Sequence, residues 1–487
     1  MTLLNSILSK YFYIILALLL ISLSGLYTFN NDFKLGFHAD ESKKVRFILK
    51  NKQDFKHPML ILQTAKVANL FMGYKKKQDT AVLARYTTAF YATLSVFLVF
   101  LITYTISRSR LAGLLASLLY GVTPGLAIHA HYIKEDVALA TFLLLTIYAI
   151  LKKWQSKWNF IWIGLPFGLA MSSHYKSILF IFILFLLPVL FKKGETYLRS
   201  YSQVVAIIFF ALLVFLSINY PIFIDFEQFK NGILFEAKHA VKGHRLRLPF
   251  NVYPFFHLRQ SFMPSMGGLF AGIGIVALFF SVLRFLKISA ALKLVTLSTL
   301  IYYLAVEMAP LKPAPDYFRY ILPVIPGLAI LLACYSAQSN KKMIRIGLQL
   351  FMILCVIQPL YLSVNIMNSV PNDPRYQVVE RMKNINDKYI LWGSYTNKPY
   401  NRNVLKLNDY DQKAYLVLSS FDYSRYVLGE SLDGQPESIS QYSRHYKRLL
   451  SLYEVETISS PFSYAFMGPT IKIIKLNEPR KPGKESI

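Results

Sequence analysis

Cysteine is nearly missing from this chain: there are two in 487 residues, Cys334 and Cys355. Both stand inside apolar runs, which argues against a disulfide framework and a thiolate metal centre. Acidic side chains are scarce too, with 26 Asp and Glu against 54 Lys and Arg, a formal charge of +28. Recognisable cofactor signatures are missing: there is no Walker A motif, no Gly-rich dinucleotide fingerprint and no zinc-protease helix motif. The loops on the basic side of the apolar runs are too short to house a nucleotide-binding domain. An activated substrate is therefore expected from the membrane rather than from a soluble nucleotide. No internal repeat or low-complexity tract is evident.

Apolar surface is what the chain has in excess. It is 54% hydrophobic, above the roughly 45–50% of soluble domains even when Gly is counted. Eleven apolar runs lie near 11–29, 83–106, 111–128, 137–151, 159–172, 177–191, 202–224, 267–286, 290–308, 319–337 and 345–365. About 20 apolar residues make one spanning helix, so the pattern predicts an α-helical polytopic membrane protein with about eleven transmembrane helices. The runs are continuous rather than alternating, which excludes membrane β-strands. No small-residue cleavage site follows the first run, which reads as an uncleaved span. The fifth run is short enough to be tilted or re-entrant. The tenth carries Pro323 and Pro326, tolerated where neighbouring helices satisfy the freed carbonyl.

The basic excess has a topological reading. Arg108 and Arg110; Lys152, Lys153 and Lys157; Lys192, Lys193 and Arg199; Arg284 and Lys287; and Lys341, Lys342 and Arg345 all fall on the side of the N-terminus. The positive-inside rule then puts the N-terminus in the cytoplasm of a cell membrane. The loops at 30–82 and 225–266 and the tail from 366 lie outside. A nucleic-acid partner is not expected, because the basic residues are scattered and form no binding motif. Anionic lipid headgroups or a phosphate-bearing substrate fit the charge as well.

The domain organisation follows: residues 1–365 form the transmembrane module, and 366–487 a small extracytoplasmic α/β or α+β domain. Ala414–Ser419 and Thr470–Leu476 carry its β-formers. In the first outer loop, Val45, Ile48 and Leu49 share one face of an amphipathic helix, suited to lie along the membrane surface.

Asp40 and Glu41 are the first candidate chemistry. Adjacent carboxylates point to different sides, so they are expected to do different jobs: one takes a proton from an acceptor hydroxyl, the other orients a group. The blander reading is a helix start near Ser42, which favours acidic residues. Lys43, Lys44 and Arg46 follow and would suit a bound phosphate or simple snorkelling at the interface. His57 precedes Pro58, which reads as position N1 of a helix. His57 is then either its cap or a group facing phosphate. In His129-Ala130-His131-Tyr132-Ile133-Lys134-Glu135-Asp136, two histidines and two carboxylates invite a metal, but His-x-His is a strand spacing at what reads as a helix end. Asp136 opens the fourth run as a cap or as a second carboxylate on the outer face. His174, Tyr175 and Lys176 end the fifth run, and Arg319 and Tyr320 open the tenth after Pro313, Pro315 and Asp316. A cation there is interfacial or meets a lipid phosphate. Tyr302, Tyr303, Tyr317 and Tyr320 fit an aromatic belt.

Taken in order, these motifs resemble the GT-C glycosyltransferases, in the branch of the protein O-mannosyltransferases and the lipid A aminoarabinose transferase. Asp40-Glu41, then an amphipathic helix, then His57-Pro58-Met59 is similar to that branch's Asp-Glu followed by His-Pro-Pro or Lys-Pro-Pro, with Met59 in place of the second Pro. Asp136 matches a second acidic residue opening the fourth span. Gly168-Leu169-Ala170 through His174-Tyr175 resembles the junction of the fifth and sixth spans, where a Lys usually stands at the position of His174. Arg319-Tyr320-Ile321-Leu322-Pro323 resembles Arg-Tyr-x-Leu-Pro. Asn372-Asp373-Pro374-Arg375 resembles the start of the outer domain.

The resemblance implies an inverting transferase that takes a sugar from a polyprenyl-phosphate donor to a protein, lipid or glycan acceptor. It makes Asp40 the base and Glu41 its support. Lys43, His57, Arg319 and Tyr320 would face the donor phosphate, and Asp136 and His174 would shape the acceptor side. It names no certain cofactor. A divalent metal stays an alternative, although Lys56 stands where the aminoarabinose branch has a metal-associated Glu. The absence of room for a lumenal β-trefoil points to a prokaryotic relative. The rival reading is a lipid-linked sugar flippase without transferase activity. It would more often show repeated halves and broken midplane helices, and neither is visible in the sequence.

Overall fold

The computed structural model describes residues 2–38, 40–50, 55–191, 197–242, 251, 253–310, 317–385, 390–396, 414–430, 437–465 and 467–476. Lys192 and Lys193 of one basic loop, and Pro313, Pro315 and Asp316 ahead of Arg319, lie outside the described residues. Helices follow one another from the N-terminus: α1 Thr2–Thr28, α2 Glu41–Lys50, α3 Leu60–Met72, α4 Lys77–Ser107, α5 Arg110–Gly121, α6 Pro124–Ala130, α7 Glu135–Lys153 and α8 Asn159–Ser173. They continue as α9 Phe180–Leu190, α10 Tyr197–Ile218, α11 Phe226–Lys242, α12 Phe256–Gln260, α13 Phe262–Met266, α14 Gly268–Leu283, α15 Ala290–Met308, α16 Ile325–Gln338 and α17 Lys342–Ser369.

The apolar runs read from the sequence fall on helices, and the run at 111–128 is split between two of them, α5 and α6. Among the described residues, α1, α4, α10, α15 and α17 are individually long and apolar enough to cross a membrane. A sixth crossing needs α5 and α6 taken together, and these meet at 63°. The bend sits at Thr123-Pro124, where Pro124 starts a new helix because its ring cannot continue the old one. Shorter apolar helices include α3, α14 and α16. Large apolar side chains such as Ile21, Phe90, Phe209, Phe279 and Ile357 stay exposed along the helices, as lipid-facing surface requires. The protein is a multi-pass membrane protein.

Close helix contact rests on small residues where lipid offers no hydrophobic driving force. A Cβ added at Gly164 or Gly168 of α8 would fall 2.9 or 2.6 Å from the carbonyl oxygen of Ile207 or Ala211 on α10. Ser109 and Ser289 cap α5 and α15 by accepting from the backbone N–H of Ala112 and Leu292.

After α17 the chain enters the polar region through α18 Pro374–Arg381. A four-stranded sheet follows, with β1 Ile390–Trp392, β2 Tyr415–Ser419, β3 Tyr453–Ile458 and β4 Ile471–Lys475 in the order β1-β2-β4-β3. Only β1 and β2 are parallel. The strands alternate their apolar residues between two faces. Leu416, Leu418 and Ile474 pack under α19 Ser420–Glu430 and α20 Glu437–Leu450. Val417, Ile471 and Ile473 meet Val378 and Met382 from α18 and the turn after it. This makes an α/β layer structure. A separate cluster joins it to the helices: Phe33, Phe37, Ile128 and Tyr132 bury with Ile366, Met367, Phe421 and Met467.

Candidate active site

The site forms where the loop after α1, the turn before α3, the start of α7 and the segments 174–176 and 317–321 converge. α2 sets its first register. Glu41, Lys44, Val45 and Ile48 are buried on one face, at the spacing of helix neighbours. Lys43 therefore falls on the exposed side, and Lys44 is the lysine that enters the site. Lys44 Nζ lies 2.6 Å from the Ile133 carbonyl and 2.5 Å from Glu135 Oε1.

Asp40 and Glu41 part company completely. Glu41 is fully buried, and both of its oxygens accept from Arg85, at 3.0 and 2.6 Å. The Asp40 side chain is 47% exposed, its Oδ2 3.3 Å from Lys134 Nζ and 3.9 Å from His38 Nδ1. Partial burial pushes the Asp40 carboxyl up, but Lys134, His38, Lys44 and Arg319 outweigh this and hold it well below the usual carboxylate range. It is thus an ionised, reachable oxygen acceptor in a cationic setting.

Asp136 stands in the first turn of α7, where the helix dipole favours its charge. Lys134 rather than Asp136 occupies the N-cap. The Asp136 carboxylate is buried 3.6 Å from Lys176 Nζ, too long for a hydrogen bond. Lys176 Nζ also sits 3.4 Å from the centroid of the Tyr320 ring, a cation–π contact. Arg319 Nη2 reaches the Tyr320 hydroxyl at 3.5 Å. Its charge also acts on Asp40.

His57 is not a cap. α3 begins at Leu60 with Met59 as its N-cap, and the Met59 N–H is taken by Asn219 Oδ1 at 2.8 Å. His57 instead faces His174, with rings 5.4 Å apart. Burial lowers the pKa of both rings, favouring the neutral form; Glu135 opposes this at His57, and Lys176 adds to it at His174. His174 Nδ1 accepts from the Lys176 N–H at 3.2 Å, which turns the chain so that Lys176 enters the site.

Asp40, His57, Asp136, His174, Arg319 and Tyr320 thus come together, with Lys44, Lys134 and Lys176 between them. Glu41 stands beside them but faces Arg85, and Lys43 stays outside. One further residue had no sequence signal of its own. Glu236 of α11 is near enough for Lys176, Arg319, Lys56 and Glu135 to act on its charge, and burial pushes its carboxyl up to about 7. α11 docks on the His57 turn: a Cβ at Gly232 would lie 2.7 Å from the Phe55 carbonyl, and Lys56 Nζ sits 4.1 Å from the Phe235 ring centroid.

The donor set does not suit a metal. Among the described residues no three His, Cys, Asp or Glu side chains gather to hold one. His129 Nδ1 and His131 Nδ1 lie 2.6 and 2.7 Å from the carbonyls of Gly125 and Ala127, one turn back. The carboxylates of Asp40, Glu135 and Asp136 already face ammonium groups. What the arrangement can do is hold an anion of two or more charges beside one reachable carboxylate.

The family model for dolichyl-phosphate-mannose-protein mannosyltransferase matches residues 59–220, the stretch that carries Lys134, Asp136, His174 and Lys176. No curated protein matches the chain. Solved structures do. ArnT from Cupriavidus metallidurans bound to undecaprenyl phosphate is 13% identical, with a TM-score of 0.53 over 94% of this chain and 97% of that one. The Archaeoglobus fulgidus oligosaccharyltransferase tethered with an acceptor peptide is 14% identical, with a TM-score of 0.54 over 95% of this chain and 74% of that one. At these identities the likeness is one of architecture. The fold is the one shared by ArnT and the Archaeoglobus fulgidus oligosaccharyltransferase.

Proposed function

We propose that this protein is an inverting glycosyltransferase that moves a sugar from a polyprenyl-phosphate donor to an acceptor at the extracytoplasmic face. The observation that carries this reading is the Asp40 carboxylate 3.3 Å from Lys134, inside a ring completed by Lys44, Lys176 and Arg319 at the helix ends. The donor phosphate sits among these cations, with neutral His57 and the Tyr320 hydroxyl as further contacts. Asp40 accepts the proton of the acceptor group as that group attacks the anomeric carbon. The bond from that carbon to the phosphate oxygen breaks, the electron pair leaves on the phosphate, and the configuration inverts. Fixed cations stabilise this developing charge without reorganisation. Glu41 supports Asp40 only through the backbone they share, by anchoring it to Arg85. Asp136 and His174 shape the acceptor side and aim Lys176.

Two known structures support the roles of lipid and acceptor. ArnT was captured with undecaprenyl phosphate, and the Archaeoglobus fulgidus enzyme with an acceptor peptide. The topology that fits is eleven spans in a cell membrane, an N-terminus in the cytoplasm and a sheet domain outside, the domains dividing near residue 365. A reporter fused after residue 370 is expected to be extracytoplasmic. The reading is tested directly by Asp40→Asn. Sugar transfer from a polyprenyl-phosphate donor should drop by about 10²–10⁴-fold with expression and membrane insertion intact. Undiminished transfer by that variant removes Asp40 as the base.

A further inference from the structure

Two arginines from distant parts of the chain grip the loop that ends in Asp40. Arg85 of α4 lies with its Cζ 3.6 Å from the ring centroid of Phe33. Phe33 stacks on Phe37, with centroids 5.5 Å apart and planes 29° from parallel. Arg375, at the start of the outer domain, places its Cζ 3.6 Å from the other ring, Phe37. The result is four layers, guanidinium on ring on ring on guanidinium, all buried.

Each cation is closed by its own carboxylate. Arg85 is paired with Glu41 as described. Arg375 gives Nε and Nη2 to Asp373 Oδ1 and Oδ2, both at 2.7 Å. What remains of each fork goes to loop carbonyls: Arg85 Nη1 to Asn31 and Phe33 at 3.0 and 2.6 Å, and Arg375 Nη1 to Phe37 at 3.0 Å. The outer domain adds two more holds. The Gly468 N–H donates to Asp373 Oδ2 at 2.9 Å, and the Tyr376 hydroxyl accepts from the Lys34 N–H at 2.9 Å. Burying two such pairs is a poor way to gain stability, because desolvation offsets most of the attraction. It is an effective way to fix one conformation, since a planar fork bound at both teeth has little freedom. The fixed segment ends three residues before Asp40.

We propose that Arg375 is a positioning residue for Asp40: the outer domain, through Arg375 and Tyr376, sets the geometry of the loop that presents the catalytic carboxylate. This rests on the reading of Asp40 as the base, but its structural half can be measured without that reading. A reacting group displaced by about 1 Å costs on the order of 10²-fold in rate, so the clamp acts on turnover rather than on lipid affinity.

The test uses full-length protein in detergent with Arg375→Met, Arg375→Lys and Tyr376→Phe. Amide hydrogen exchange across residues 31–41 is compared with the wild type, together with binding of undecaprenyl phosphate and the transfer rate at saturating donor. Arg375→Met should speed exchange of the loop by at least about tenfold and slow transfer by about 10–100-fold, with undecaprenyl phosphate affinity held within about twofold. Arg375→Lys keeps the buried charge and should fall between. Tyr376→Phe should loosen Lys34 alone. Should Arg375→Met fail to fold, the other two variants decide. Unchanged loop exchange in folded Arg375→Lys and Tyr376→Phe overturns the proposal. Loosened exchange with unchanged transfer overturns the positioning role. If wild-type protein transfers no sugar, the transferase reading fails, while the exchange data still settle whether the outer domain holds the loop.

Discussion

Asp40 and Glu41 are neighbours in sequence and opposites in setting. Glu41 lies in a saturated ion pair, both oxygens spent on Arg85 and no surface open. Asp40 lies in a loose set, with Lys134 at 3.3 Å and His38 at 3.9 Å, and nearly half of its side chain reachable. Asp373 with Arg375 repeats the first pattern; Asp136 and Lys176, 3.6 Å apart, share the looseness of the second but not its exposure. Closed pairs fix conformation because both carboxylate oxygens are already held by the guanidinium. Open pairs can exchange a protein partner for a ligand. The molecule keeps both kinds within one turn of the backbone.

The sharpest way to break this contrast is to remove each carboxyl in turn. Asp40→Asn should abolish most transfer and barely move the apparent unfolding temperature. Glu41→Gln should do the reverse first. It strands a buried guanidinium, at a cost of about 3 kcal/mol, which corresponds to a fall of about 3 °C in thermal shift for a chain of 487 residues. Equal melting temperatures for the two variants would erase the distinction. A smaller effect separates the two lysines of α2. Lys44→Gln should weaken undecaprenyl phosphate binding by about tenfold, roughly 1.4 kcal/mol, whereas Lys43→Gln should leave it within about twofold in the same titration.

The smallest expected effect belongs to Glu236. Its carboxyl is raised to about 7 in the folded protein from an ordinary value of 4.5, burial being the main cause. Below pH 4.5 it is neutral in both folded and unfolded chains. Between pH 4.5 and 7 the unfolded chain ionises first, so this residue's contribution to stability declines as pH rises. Thermal shifts measured across that range should decline less steeply in Glu236→Gln than in the wild type. Parallel curves would remove Glu236 from the neighbourhood of the site.

Much of the site was legible because its residues sit at helix ends, where charge next to an apolar run stands out. Asp40, His57, Asp136, His174 and Arg319 all stand at such places, and the fold brings them together. The resemblance points to Lys43, but the register of α2 points to Lys44: Val45 and Ile48 define the inward face, and Lys44 shares it. Glu236 was invisible because nothing in a polar loop says which outer helix folds back over the mouth. Gly232 against Phe55 settles that only in three dimensions. In the sheet, β2 and β4 announced themselves by runs of Leu, Val and Ile, while β3 hid behind Glu454 and Glu456 and β1 is only three residues long. The bend at Thr123-Pro124 was missed inside a run that reads as one helix, although Pro124 carried the signal.

The ammonium of Lys134 has a consequence for timing. It helps keep Asp40 a weak base, with its carboxyl well below the usual range. Under the proposed function, a phosphate that drew Lys134 and Arg319 toward itself would withdraw that restraint and make the carboxyl more basic. The acidic limb of kcat, which reports the loaded enzyme, should then lie at higher pH than that of kcat/KM for the donor, which reports the free one. A transferase wired this way would stay chemically silent toward hydroxyl groups, water included, until its charged lipid was seated, and its kinetics should then follow a compulsory order with the donor first.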